Sequence, residues 1–145
     1  MSQETLTLLI QLFFWGLALL ALASLVRFHD SARLDIALVM ISIAMALMPP
    51  DWFQNISILS LTPASLAIVA HPFLLLRLVQ HFRGIRPFIQ RLALAGMIIS
   101  GIILATSSDI NYFSLIVLVY FITIEGYAVT AFLRAARVSS GVSRW

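Results

Sequence analysis

The chain lacks cysteine and lysine and has few charged residues of any kind. Its 145 residues include nine basic residues, all of them arginine, and six acidic residues, so that 10% of the chain is charged. The absence of cysteine excludes disulfides, thiolate catalysis and metal binding through sulfur. An ordinary soluble domain carries about 25% charged residues, so the composition favours a different class of protein.

Known catalytic patterns are absent as well. The sequence contains no glycine-rich phosphate loop, no HExxH or GxSxG motif and no kinase-like ATP-binding motif. We therefore predict no catalytic residue, no metal site and no cofactor, and kinase activity would require further domains after residue 145. The net charge of +3 does not indicate nucleic acid as a partner, because the basic residues lie beside apolar segments.

Apolar residues make up 61% of the chain, and its mean hydropathy is +1.03. They form five blocks separated by short polar stretches, which is typical of a multi-pass membrane protein. We predict an all-α membrane protein, a single transmembrane domain whose five helices cover about residues 5–26, 34–48, 56–79, 88–106 and 112–133. The second helix is short for a hydrocarbon core of about 30 Å, so Asp35, Trp52 and Phe53 are expected at the membrane interfaces.

The distribution of arginine predicts the orientation of these helices. All nine arginines fall on one side of the five predicted spans, and the charged residues on the other side are all acidic. By the positive-inside rule, the N-terminus lies outside and the C-terminus in the cytoplasm. The arginines near the third, fourth and fifth spans are expected to set this topology, with contacts to anionic lipid headgroups as the alternative. They are Arg77, Arg83, Arg86, Arg91, Arg134 and Arg137.

His71 in the third predicted span and Glu125 in the fifth are ionisable residues that lie away from the ends of their spans. They lie about 22 Å and about 20 Å along helices that run in the same direction, so they are expected to face each other at similar depth. A His–Glu hydrogen bond would offset much of the cost of burying both groups. Three interpretations stay open: a structural lock between helices, a ligand or proton site, and ligation of a metal, haem or chlorin by His71.

Two further patterns concern helix shape and packing. Pro63 and Pro72 fall within the third predicted span, where each removes a backbone hydrogen bond and predicts either a hinge or a packing kink. Small residues in the fourth span (Gly96, Ser100 and Gly101) have the spacing that lets helices approach closely. They predict packing within the chain, with the seam of a homodimer as the alternative.

Two stretches resemble a known family. HPFLLLRLVQHFRGIRP (71–87) and IEGYAVTAFLRAARVSSGVSRW (124–145) are similar to the N-terminal membrane region of bacterial sensor histidine kinases. The resemblance implies an input module of two-component signalling in the bacterial cytoplasmic (inner) membrane, and a chain that is a fragment or a truncated relative. It also implies that the phospho-accepting histidine belongs to the missing part, so that His29, His71 and His81 do not have that role.

We therefore expect a sensory or anchoring module that passes on shifts of about 1–2 Å between its third and fifth helices. The lipid bilayer is its expected partner, together with a second copy of the chain or a larger membrane complex. The alternative is a small structural or cofactor-carrying subunit of a respiratory or photosynthetic membrane complex. In that case His71 would ligate a pigment or haem.

Overall fold

The computed structural model of the protein describes residues 3–48, 62–106 and 110–142. These residues form five α-helices: α1 (Gln3–Phe28), α2 (Ser31–Ala46), α3 (Pro63–Phe82), α4 (Pro87–Thr106) and α5 (Ile110–Val142). All except α2 are long and apolar enough to cross a membrane. The all-helical fold is therefore confirmed for the described residues, whereas the membrane location, a crossing by α2 and the orientation stay predictions.

The helix boundaries agree with the predicted spans at some ends and differ at others. α1 and α4 lie within two residues of the predicted first and fourth spans. Residues 56–61 of the predicted third span, with Trp52 and Phe53, lie outside the described residues. α5 extends to Val142, well beyond the predicted end at Leu133. The two arginines of the segment Arg134–Arg137 end the apolar run, but arginine and alanine are strong helix formers. The helix therefore continues beyond the last apolar residue of the predicted span.

The start of α3 shows how local hydrogen bonds fix a helix end. The hydroxyl oxygen of Thr62 accepts a hydrogen bond from the backbone N–H of Ser65 at 3.2 Å, as an N-cap residue does. Pro63 follows as the first helical residue, where its missing N–H costs nothing. Pro63 therefore starts a helix, which differs from its predicted place as a hinge inside a span. Pro72 does lie inside α3.

The chain divides into two compact units, Met1–His71 and Pro72–Trp145, and the boundary lies within α3. In the first unit α1 packs along α2. The covered positions of α1 recur at intervals of three and four residues, which is the pattern of one helix face. They include Gln11, Phe14, Ala18, Ala21 and Leu25. Leu12 and Leu20, on the opposite face, are 68% and 69% exposed.

α2 is covered on two opposite sides. Ala37 and Ala44 are buried on the side that also bears Arg33, whose guanidinium donates a hydrogen bond to Ser24 of α1 at 2.6 Å. Asp35 and Ser42 are buried on the other side, about 180° around the helix. The first side faces α1. On the second side, Ser42 contacts His71 of α3.

The second unit has its own apolar core. Its buried members come from the C-terminal half of α3, the α3–α4 turn, α4 and α5, namely Leu76, Val79, Ile85, Ala93, Ile124, Ala128 and Ala131. The rings of Phe82 in α3 and Phe132 in α5 extend this packing, with their centroids 5.7 Å apart. Many large apolar side chains on the outer faces of these helices are exposed, including Phe88 at 71%.

Candidate functional site

A hydrogen bond between Ser42 and His71 joins α2 to α3 inside the first unit. Ser42 Oγ and His71 Nδ1 are 2.8 Å apart. Ser42 is 5% exposed and His71 is half-buried. His71 lies eight residues after Pro63 in a helix of 20 residues, which places this polar contact near the middle of an apolar helix.

The hydrogen bonds of Ser42 favour one tautomer of His71. The Ser42 hydroxyl donates to the backbone carbonyl of Val39 at 2.8 Å. A serine has one hydroxyl hydrogen, so Ser42 Oγ acts as an acceptor towards His71. With this arrangement Nδ1 of a neutral His71 is the donor, and the ring lone pair is on Nε2.

Pro72 follows His71 directly and is fully buried. Proline has no N–H, so the carbonyl of Ile68, four residues earlier, receives no helical hydrogen bond from this position. A polar side chain and a weakened helical turn thus coincide at the boundary between the two units. The predicted hinge position at Pro72 has this local structure, and its movement stays a prediction.

Asp35 lies two turns before Ser42 on the same face of α2 and is 1% exposed. It takes part in a polar or electrostatic interaction there. Asp35 is thus enclosed by protein, and its expected position at the membrane interface stays a prediction.

Glu125, the second member of the predicted intramembrane pair, lies in α5 and belongs to the second unit. It is half-buried and takes part in a polar or electrostatic interaction. It is ten residues after Leu115, the first residue of the candidate membrane span found in the described part of α5, and so lies near the middle of that span. Because His71 belongs to the first unit, its pairing with Glu125 stays a prediction.

The small residues of α4 differ in their surroundings. A Cβ atom added at Gly96 would lie 2.5 Å from Cδ2 of Tyr120 in α5, so the ring packs directly against the glycine. Ser100 is buried, with 1% exposed, and Gly101 has no atom within 4 Å of the corresponding position. Gly96 thus lies where α4 meets α5, and Gly101 has open space.

The six arginines that are predicted to set the topology are all exposed and lie on α3, the α3–α4 turn, α4 and α5. Arg77 is on α3, Arg83 and Arg86 are in the α3–α4 turn, and Arg91 is near the start of α4. Arg134 and Arg137 lie in the C-terminal part of α5. In the described part of the chain, no three histidine or acidic side chains are grouped to bind a metal ion.

The sequence analysis missed Ser42 as a member of the site. Ser42 is a single hydroxyl in the apolar stretch VMISIAM, and one serine in such a stretch has no periodic signal. Comparison with family models, with curated proteins and with solved structures finds no match to this chain.

Proposed function

We propose that this chain is an integral membrane module that serves as a sensory or anchoring input region of the kind found in bacterial sensor histidine kinases. The observation that carries the proposal is the Ser42–His71 hydrogen bond, which lies beside Pro72 near the middle of an apolar helix. Burying polar groups in the middle of an apolar helix costs free energy. Ionisable residues inside membrane helices therefore commonly mark functional sites.

Exposed apolar surface supports the membrane part of the proposal. Four helices are long and apolar enough to span a bilayer. Their outer faces carry leucine, isoleucine and phenylalanine side chains, for example Leu19 at 62% and Ile102 at 57% exposed. Soluble proteins rarely leave apolar patches larger than a few hundred Å² in water. A bilayer covers such faces, and the arginine distribution then orients the chain with its C-terminus in the cytoplasm.

The proposed mechanism uses the weak point of α3. Ser42 holds His71 from one side, and Pro72 removes the backbone hydrogen bond that would stiffen the next turn. A ligand or proton that changes the bonding of His71 would change the bend of α3 at this turn. A small bend there is transmitted as a shift of about 1–2 Å between helices. Glu125 on α5 is the proposed acceptor of that shift.

A labelling experiment tests insertion and orientation. The chain has no cysteine, so Ser2→Cys and Ser143→Cys each give one reactive thiol. A membrane-impermeant maleimide added to intact cells should label Ser2→Cys, and Ser143→Cys should react only after the cells are opened. Release of the protein by alkaline carbonate, or labelling of both variants in intact cells, would contradict the membrane topology.

A fusion tests the signalling part. The full chain is joined after Trp145 to the dimerisation and ATP-binding domains of a sensor kinase, and autophosphorylation is measured in membranes. Ser42→Ala and Glu125→Gln should each change the rate, whereas Gly101→Ala, which lies in open space, is the matched control. Equal rates for all four proteins would end the input-module proposal.

One observation favours a second candidate, a cofactor-carrying subunit of a membrane complex. Histidines that bind a metal through Nε2 almost always donate their other ring N–H to an oxygen. Ser42 Oγ is an oxygen at hydrogen-bonding distance, 2.8 Å from Nδ1 of His71. The absorption spectrum of the protein purified in mild detergent distinguishes the two. A Soret or chlorin band that disappears in His71→Ala would replace the sensor proposal with this one.

A further inference from the structure

Four exposed arginines gather at one end of the second unit, and we name them the arginine cluster. Arg83 and Arg86 lie in the α3–α4 turn, Arg91 near the start of α4, and Arg134 in α5. Ile85 in the turn and Ala131 in α5 share one apolar core, which brings these segments to the same end. The rings of Phe82 and Phe132, each close to a cluster member in sequence, are 5.7 Å apart.

The α3–α4 turn that carries the cluster is firmly built. Ile85 is buried at the centre of the turn, with 9% exposed. The side-chain amide of Gln90 donates a hydrogen bond to the side-chain oxygen of Gln80, which joins the start of α4 to the end of α3. The backbone N–H of Ile89 donates to the carbonyl of Arg86 at 2.9 Å. The arginines therefore project from a fixed scaffold.

The positive charge of this cluster is not compensated within its unit. Among the described residues, none of the four arginine side chains has an ion-pair or hydrogen-bond partner. Residues 72–145 contain only two acidic residues, Asp109 and Glu125. Asp109 follows the far end of α4, and Glu125 is nine residues from Arg134, or about 13 Å along α5.

The arginines of the first unit have different surroundings. The guanidinium groups of Arg27 and Arg33 lie 5.1 Å and 3.7 Å from the centroid of the Phe28 ring. Arg33 also donates a hydrogen bond to Ser24. Distances of this kind give cation–π attraction, so these two arginines are engaged within the protein itself. They provide a natural control for the arginine cluster.

Two exposed aromatic side chains flank the arginine cluster. Phe82, before Arg83, is 60% exposed, and Phe88, after Arg86, is 71% exposed. Apolar rings beside basic groups suit the boundary between hydrocarbon and headgroups, where one part of the surface is apolar and the other carries anions. Guanidinium groups also match phosphate oxygens in geometry, since they can donate two parallel hydrogen bonds.

From these observations we propose that the arginine cluster binds the phosphate group of an anionic phospholipid, with Phe82 and Phe88 set against its acyl chains. This inference rests on the proposed membrane location. It gives the four arginines a binding role in addition to setting the orientation. Each arginine near an anionic surface contributes about 1 kcal/mol, so the loss of two should reduce the affinity by about 30-fold.

The test measures lipid binding to the full chain by native mass spectrometry in a neutral detergent. Phosphatidylglycerol and phosphatidylcholine with identical acyl chains are titrated separately. The wild-type protein should bind phosphatidylglycerol at least about tenfold more tightly. The double variant Arg83→Gln/Arg86→Gln should lose this preference, and the matched double variant Arg27→Gln/Arg33→Gln should keep it.

Several outcomes would overturn the inference. Equal affinity for the two lipids, or equal loss of preference in both double variants, would contradict a specific role of the cluster. Displacement of the lipid by inorganic phosphate at similar concentration would assign the cluster to a soluble phosphate compound. If the cluster variant does not fold, as judged by its circular dichroism, a salt titration of the wild type replaces it, and the preference must fall as salt rises.

A vesicle flotation experiment separates this inference from the proposed function. A chain that does not float with phosphatidylcholine vesicles contradicts the membrane proposal itself, and the inference falls with it. A chain that floats with these vesicles but shows no preference for phosphatidylglycerol contradicts the lipid site alone.

Discussion

The contact between Gly96 of α4 and Tyr120 of α5 gives the sharpest prediction. A Cβ atom at residue 96 would lie 2.5 Å from Cδ2 and 2.8 Å from Cε2 of the tyrosine ring. Carbon atoms in favourable contact are about 3.5–4.0 Å apart, so either the ring or the backbone must move by about 1 Å. The substitution Gly96→Ala should therefore force α4 and α5 apart at this point.

Gly101→Ala in the same helix is the matched control, because nothing lies within 4 Å of its Cβ position. Both substitutions gain about 1 kcal/mol of helix propensity, and only Gly96→Ala also costs about 1–3 kcal/mol of overpacking. The difference between the two variants in free energy of unfolding should equal that overpacking cost. In chains of this length each kcal/mol lowers Tm by about 2–4 °C.

The assay is thermal unfolding in detergent, followed by circular dichroism. Gly96→Ala should melt below Gly101→Ala, and the difference should shrink when Tyr120→Ala is added to both, because the clashing ring is then absent. The two residues are in contact, so their effects should be coupled by about 0.5–3 kcal/mol. Equal melting of the two glycine variants, or a difference that persists without the tyrosine ring, would refute this reasoning.

Three other predictions concern separate parts of the chain. Ser42→Ala removes the acceptor of the His71 Nδ1 proton and should destabilise the protein by about 1–3 kcal/mol. Nitrogen NMR of the wild type should show the proton on Nδ1. A proton on Nε2 would contradict this assignment. His29 has a φ of 47°, so His29→Val should lower Tm by an amount equivalent to about 1–2 kcal/mol relative to His29→Gly, and equal melting would contradict this. Phe132→Leu removes the ring contact with Phe82 and should cost about 0.5–1.5 kcal/mol in unfolding by denaturant, whereas the same change at Phe88, which is 71% exposed, should cost less.

Hydropathy predicted the helical class and most helix positions because long apolar runs have few alternatives to a helix. It did not predict where α5 ends, since Arg134 and Arg137 are polar but helix-favouring. It also placed Pro63 inside a span, because a hydropathy pattern does not distinguish a first helical residue from an interior one. The hydrogen bonds of Thr62 make that distinction.

The candidate site was predictable only in part. His71 and Pro72 are conspicuous in an apolar segment, so the sequence alone indicates them. Ser42 depends on how two helices are placed side by side, since it becomes significant only when α2 brings it within 2.8 Å of His71. The burial of Asp35 is likewise a result of packing between helices that the sequence pattern does not show. Contacts between distant segments of this kind have no signal in local periodicity.

α5 has a mechanical consequence that follows from its length. Its 33 residues contain no proline, so it is a rod of about 50 Å, well above the hydrocarbon thickness of about 30 Å. A tilt of about 2° at one end of such a rod displaces the other end by about 1.7 Å. The direction of each side chain around the helix axis is also fixed along α5. Inserting one residue would therefore rotate the rest of the helix by about 100°. A lever of this kind carries both displacement and rotation from the apolar segment to the last helical turn at Val142.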